Sequence, residues 1–327
     1  MNLRFAALSV AGSLALGACA DPSSPEPASA PDFSDLSQIS ASASRSSGQL
    51  QRLASARTNP ADLGRFEVAF KFLVPPTDAQ RAVFQTAADR WQRIIINDVP
   101  SVSGTLPSCF SGLPPVSTDI IDDVVIEVAL VPIDGPGKIL GAAGPCWVRD
   151  EDNLPVSGVM YFDSADLPYL ESLGLFDEVI VHEMGHVLGI GTLWNFGRSL
   201  VQGTASQPYF GGQLANTHWG AEGGLGYLPI ENSGGAGTIY AHWRESALRN
   251  ELMTGYLNLG ENPLSRITGG SLGDMGYGVG VVGESYALQK GTEGVTPTTT
   301  ETISSKGVNI ERGESMLDPV GIVPKGY

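Results

Sequence analysis

Basic residues are scarce in this chain. Its 327 residues hold 19 Lys and Arg against 35 Asp and Glu, a formal net charge of −16. Phosphate contacts require clustered cations, so no nucleic-acid partner is expected. Long apolar runs are missing as well: after the first twenty residues none is long enough to cross a bilayer. Cysteine is reduced to three residues, Cys19, Cys109 and Cys146, and histidine to four. Neither Cys109 nor Cys146 has a histidine cluster beside it, which argues against a cysteine-based metal site.

What is present begins with a targeting segment. Met1 to Arg4 supply a short positive region, and Phe5 to Leu16 an apolar stretch too short for a spanning helix. It ends Leu16-Gly17-Ala18-Cys19, which resembles the lipobox of bacterial lipoproteins and implies acylation of Cys19. The rival reading takes Ala18-Cys19-Ala20 as an ordinary small-x-small cleavage site, giving a secreted chain. Both lead out of the cytoplasm. The expected location is a bacterial cell envelope, with the membrane touched only through the lipid. Two thiols then remain, and in an oxidising compartment Cys109 and Cys146 are expected to pair, two buried free thiols being the alternative.

Residues 20–64 are rich in Ser, Ala and Pro and read as a flexible linker. Order is expected from Arg65. Phe66 to Phe72 alternates like a half-buried strand, and Thr77 or Asp78 is placed to cap a following helix carrying Ala87, Trp91 and Ile94. A Pro/Ser/Gly loop over 101–118 precedes the strongest strand signal, Asp123 to Val131; Gly158 to Phe162 is a further strand. Residues 191–240 are glycine-rich and aromatic without clear periodicity. Helical patterns return at His242 to Leu252 and at Leu264 to Met275, and residues 283–327 read as a low-complexity, loosely attached tail.

Chemistry concentrates at His182-Glu183-Met184-Gly185-His186-Val187-Leu188-Gly189. On a helix, residues four apart share a face, so His182 and His186 can aim imidazoles at one ion. Glu183, one step round, reaches a water on that ion as a general base without becoming a ligand. Gly189 suits a helix end, where a left-handed residue turns the chain. A catalytic zinc needs a third protein ligand. In the pattern H-E-x-x-H-x-x-G-x-x-H it stands at position 192, which here is Thr192, leaving His218 and His242, with Glu251 as a carboxylate alternative.

Gly234-Gly235-Ala236-Gly237-Thr238-Ile239-Tyr240-Ala241-His242-Trp243, followed by Asn250-Glu251-Leu252-Met253-Thr254-Gly255, resembles the leishmanolysin-like branch of the metzincin peptidases. That branch inserts several dozen residues after the glycine, here the 52 residues 190–241. The resemblance implies His242 as third zinc ligand, Met253 as the Met-turn methionine, and Leu264 to Tyr277 as the closing helix. Compared with eukaryotic members, the chain is expected to do without a long propeptide and an additional C-terminal domain. With Cys109 and Cys146 paired, no thiol remains to act as a cysteine switch.

The expected fold is an α+β, zincin-like catalytic domain over 65–282, with a twisted sheet and active-site helix in 65–190 and a Met-turn subdomain in 191–282. The strand Gly158 to Phe162 is expected, by resemblance, at the upper edge of the cleft, where a peptide adds as an extra strand. The expected activity is zinc-dependent cleavage of protein or peptide substrates outside the cytoplasm. The alternative is an idle surface-binding lipoprotein that keeps zinc for structure. The cluster Asp119, Asp122 and Asp123 reads as a solvated strand edge, with calcium binding as the other reading.

Overall fold

The computed structural model describes residues 51–52, 57–59, 64–110, 112–235, 237–280, 282–297 and 314–324. The leader, Cys19 and most of the linker lie outside the described residues. Short β1 (Gln51–Arg52) and β2 (Arg57–Asn59) precede β3 (Val68–Phe72). Helix α1 (Asp78–Gln92) starts at Thr77, whose hydroxyl accepts from the Gln80 amide while the Gln80 side chain accepts from the Thr77 amide, a reciprocal cap. Next come β4 (Ser101–Ser103), β5 (Ile120–Ile121), β6 (Val124–Val131), β7 (Gly141–Arg149) and β8 (Pro155–Asp163). Helices α2 (Leu167–Leu173) and α3 (Phe176–Val187) follow; α3 carries the His-Glu-His motif. The remainder comprises the hairpin β9 (Val201–Thr204) and β10 (Gln207–Phe210), helices α4 (Gln213–Glu222), α5 (Glu245–Leu248) and α6 (Arg266–Met275), and strands β11 (Glu314–Met316) and β12 (Gly321–Val323).

The main sheet has the order β1-β12-β7-β8-β6-β3, with β11 also on β7. Strands β3, β6 and β8 run parallel, and β7 is antiparallel to β8. Both faces of the central strands are covered, which explains their nearly continuous apolar sequences. On one face α1 and α3 bury Phe84, Trp91, Ile180, Met184 and Val187 against Ile126, Val128, Met160 and Phe162. Full burial of side chains such as Phe84 or Trp91 contributes about 2–3 kcal/mol each. The Trp91 indole also donates to the Val181 carbonyl at 3.0 Å, which fixes α1 against the motif helix. On the other face the loop 104–118 is clamped by the Cys109–Cys146 disulfide over Val125, Val159 and Tyr161.

Several expectations change here. Gly158 to Phe162 is not an edge: β8 is bonded on both sides, to β6 and to β7, so it has no free ladder for a peptide. Strand β7 and helices α2 and α4 were not legible, because Gly141 to Cys146 is a string of small residues and proline rather than a strand pattern. The helix expected from His242 shrinks to the single turn α5, ended by Arg249 at φ 57°. The tail is tied in where it is described. Glu284 pairs with Arg90, Tyr227 and Val295 exchange backbone hydrogen bonds, and β11 and β12 join the sheet. Asp123 is not on a solvated edge. It is fully buried and accepts the amides of Glu67 and Val99 at 2.7 and 2.6 Å, and its carboxylate neighbours are Asp122 and Asp98 rather than Asp119.

Candidate metal centre

Helix α3 presents His182 and His186 on one face, and its interior position leaves both rings buried. The chain leaves α3 through Gly189, whose φ of +106° turns it back so that the Ile190 carbonyl meets the His186 ring. The third histidine arrives from far along the sequence. Glu231 donates its amide to the His242 carbonyl, and Trp243 donates to the Met253 carbonyl, so His242 lies between two backbone neighbours. Trp243 anchors this segment: its ring stacks on Trp194 at 4.7 Å and its indole donates to Thr268 Oγ1 at 2.8 Å.

The Nε2 atoms of His182, His186 and His242 form a triangle with all three edges at 3.1 Å. Each Nδ1 faces a carbonyl oxygen: Leu252 for His182, Ile190 for His186 and Thr238 for His242, at 2.7, 2.8 and 3.1 Å. A carbonyl only accepts, so each Nδ1 carries the proton and each Nε2 keeps its lone pair. Three lone pairs thus converge in a buried space, which is repulsive without a cation. Zinc on three imidazoles at about 2.0–2.1 Å in tetrahedral geometry separates the nitrogens by about 3.3 Å, so the donor set fits. Burial, reinforced by His242 and His182, holds the His186 pKa well below the ordinary histidine value and keeps the ring a neutral ligand.

A family model described as leishmanolysin matches residues 112–282, just over half of the chain, and spans all three histidines. The chain belongs to the leishmanolysin family. A comparison with curated proteins gives no match.

Within this leishmanolysin-family site the rival third ligands are set aside by position. His218 sits on α4, packed beside Gly270 outside the histidine group, and burial together with Arg266 lowers its pKa. Glu251 is fully buried, but its oxygens are taken by the Met253 amide, the Ser265 amide and hydroxyl, and Thr268 Oγ1. Thr192, at the position of the missing histidine, donates to the His186 carbonyl at 2.8 Å. Met253 packs its sulfur and methyl against the α3 backbone at Gly185, directly between the two helical histidines. Glu183 is buried beside them, and its charge combines with burial to push the Tyr161 hydroxyl up to about 12.

Two features escaped the sequence reading. The three carbonyls that orient the rings have no sequence signal, because any residue supplies one. Glu251 had a signal but was weighed as a ligand; in the structure it joins the 251–253 turn to α6. Thr268 extends that link by donating to Glu251 while accepting from Trp243, next to His242.

Proposed function

We propose that this chain is a zinc-dependent endopeptidase acting on protein or peptide substrates outside the cytoplasm. The observation that carries it is the triangle of three Nε2 lone pairs, with buried Glu183 next to His182 on the same helix. Zinc bound there would polarise a scissile carbonyl and acidify a water. Glu183 takes the proton of the attacking water on a carboxylate oxygen and returns it to the leaving amine nitrogen. His182, His186 and His242 serve as the ligands, their rings oriented by their three carbonyl acceptors. Met253 serves as the Met-turn residue, packing beneath the histidines without binding the ion.

The test is Glu183→Gln. The variant should retain about one zinc per chain but lose cleavage of denatured protein by a factor of about 10³ or more. Undiminished, chelator-sensitive cleavage would remove Glu183 from this role.

The Leu16 to Cys19 sequence supports a lipid-anchored location in a bacterial envelope. Mass spectrometry of the mature N-terminus should find acylated Cys19; an unmodified chain starting at Asp21 would point to secretion instead.

A further inference from the structure

The outer edge of β7 already has an occupant. β11 pairs in parallel with Gly141 to Ala143, and β12 with Trp147 to Arg149. Between them the Leu317 amide donates to the Ala143 carbonyl at 3.2 Å and the Val320 amide to the Cys146 carbonyl at 2.8 Å. Just beyond, the Asp150 amide donates to the Val323 carbonyl at 2.9 Å. Leu317 crosses so close to Gly144 that a β-carbon there would overlap the Leu317 backbone. Leu317 and Val323 are 4% and 2% exposed, within the same apolar cluster as Ala142, Cys146, Trp147 and Tyr161.

This edge runs beside the candidate centre. Gly158 packs on Val187, the residue after His186, and is itself in contact with the Gly144 carbonyl. Three residues along, Tyr161 pairs with Ala142. The stretch 141–144 is therefore level with the motif helix, and residues 314–317 lie against it.

A sheet edge binds an extended peptide through its unpaired N–H and C=O groups, and here those groups are in use. We propose that residues 314–324 are a resident occupant of the β7 edge, which an extended substrate reaches only by displacing them. This rests on the peptidase reading above. The attachment is built to yield. Its ladder on β7 is two three-residue strands separated by Pro319, both parallel to β7, the weaker pairing per residue, and the far side of β12 is held only by the two-residue β1.

The test uses the full chain with Leu317→Asp and Val320→Pro together, which remove a buried apolar contact and a ladder donor without touching β7. Faster hydrogen exchange at the Asp150 amide reports release of the edge. If the edge is open in about a tenth of native molecules, release lowers KM for an unstructured protein substrate about tenfold and leaves kcat unchanged. A synthetic peptide of residues 312–324 should then restore the higher KM as a competitor. Leu317→Ala, a milder change, should shift KM the same way if the double variant fails to fold. An unchanged KM with a demonstrably exchanging Asp150 amide overturns the proposal and leaves the peptidase reading standing. No chelator-sensitive cleavage by either chain overturns the peptidase reading and this inference with it.

Discussion

At the residue scale the decisive fact is which atom of each histidine faces the others. His242 meets His182 and His186 through Nε2 because the Thr238 carbonyl holds its Nδ1; His218 lies on another helix beside Gly270. Replacing His242 by Ala removes one of three ligands, so zinc content measured by elemental analysis should fall from about one per chain to near zero after dialysis. His218→Ala should leave it unchanged. Full occupancy in His242→Ala with loss in His218→Ala would reverse the assignment.

At the element scale the joints between strands rest on buried carboxylates. Asp123 ties β6 to the start of β3 and to the segment after α1 through the amides of Glu67 and Val99. Burial pushes its pKa from 3.8 up to about 7; the two amides oppose the rise, and Asp98 and Asp122 add to it. A folded-state pKa above the unfolded one means that the native chain holds a proton the unfolded chain has released. This contribution to stability is fully present below about pH 4 and is lost as the pH rises through 7. Calorimetry between pH 5 and pH 8 should show the wild-type Tm falling relative to Asp123→Asn, by roughly 2–4 °C for each kcal/mol lost. Parallel pH profiles for the two proteins would contradict the shift. Glu127, which accepts the Cys109 amide and the Ser108 hydroxyl, is also raised by burial and acts with the same sign.

At the scale of the whole molecule, one cation joins parts of the chain that lie far apart in sequence. Arg90 of α1 pairs with Glu178 at the start of α3 at 3.1 Å and with Glu284 at 2.8 Å, and donates to the Asn262 carbonyl at 3.0 Å. Its side chain is only 12% exposed, so Arg90→Ala takes the cation from Glu178, 14% exposed, and leaves Glu284 to the exposed Arg93. The expected cost in urea unfolding is about 3–5 kcal/mol. A loss below about 1 kcal/mol would place the pair among surface bridges of little consequence. The motif helix, its first turn marked by Asp177 and Glu178 and its end by Gly189, was determined by sequence alone, because period, dipole and left-handed turn are local properties. So were α1, with its cap at Thr77 or Asp78, and the strands β3 and β6; the structure chose Thr77 and joined Cys109 to Cys146, which the sequence had left between a disulfide and two free thiols. The sequence read without its family left His218, His242 and Glu251 open as third ligand; tertiary structure brings His242 to His182 and His186, across the 56 residues between His186 and His242 that no local rule spans. It also decided that β8 lies between β6 and β7, and that residues 314–324 return to cover the other side of β7. Strand order depends on which long-range ladders close, and a run such as Gly141 to Cys146 declares itself a strand only once its neighbours are in place.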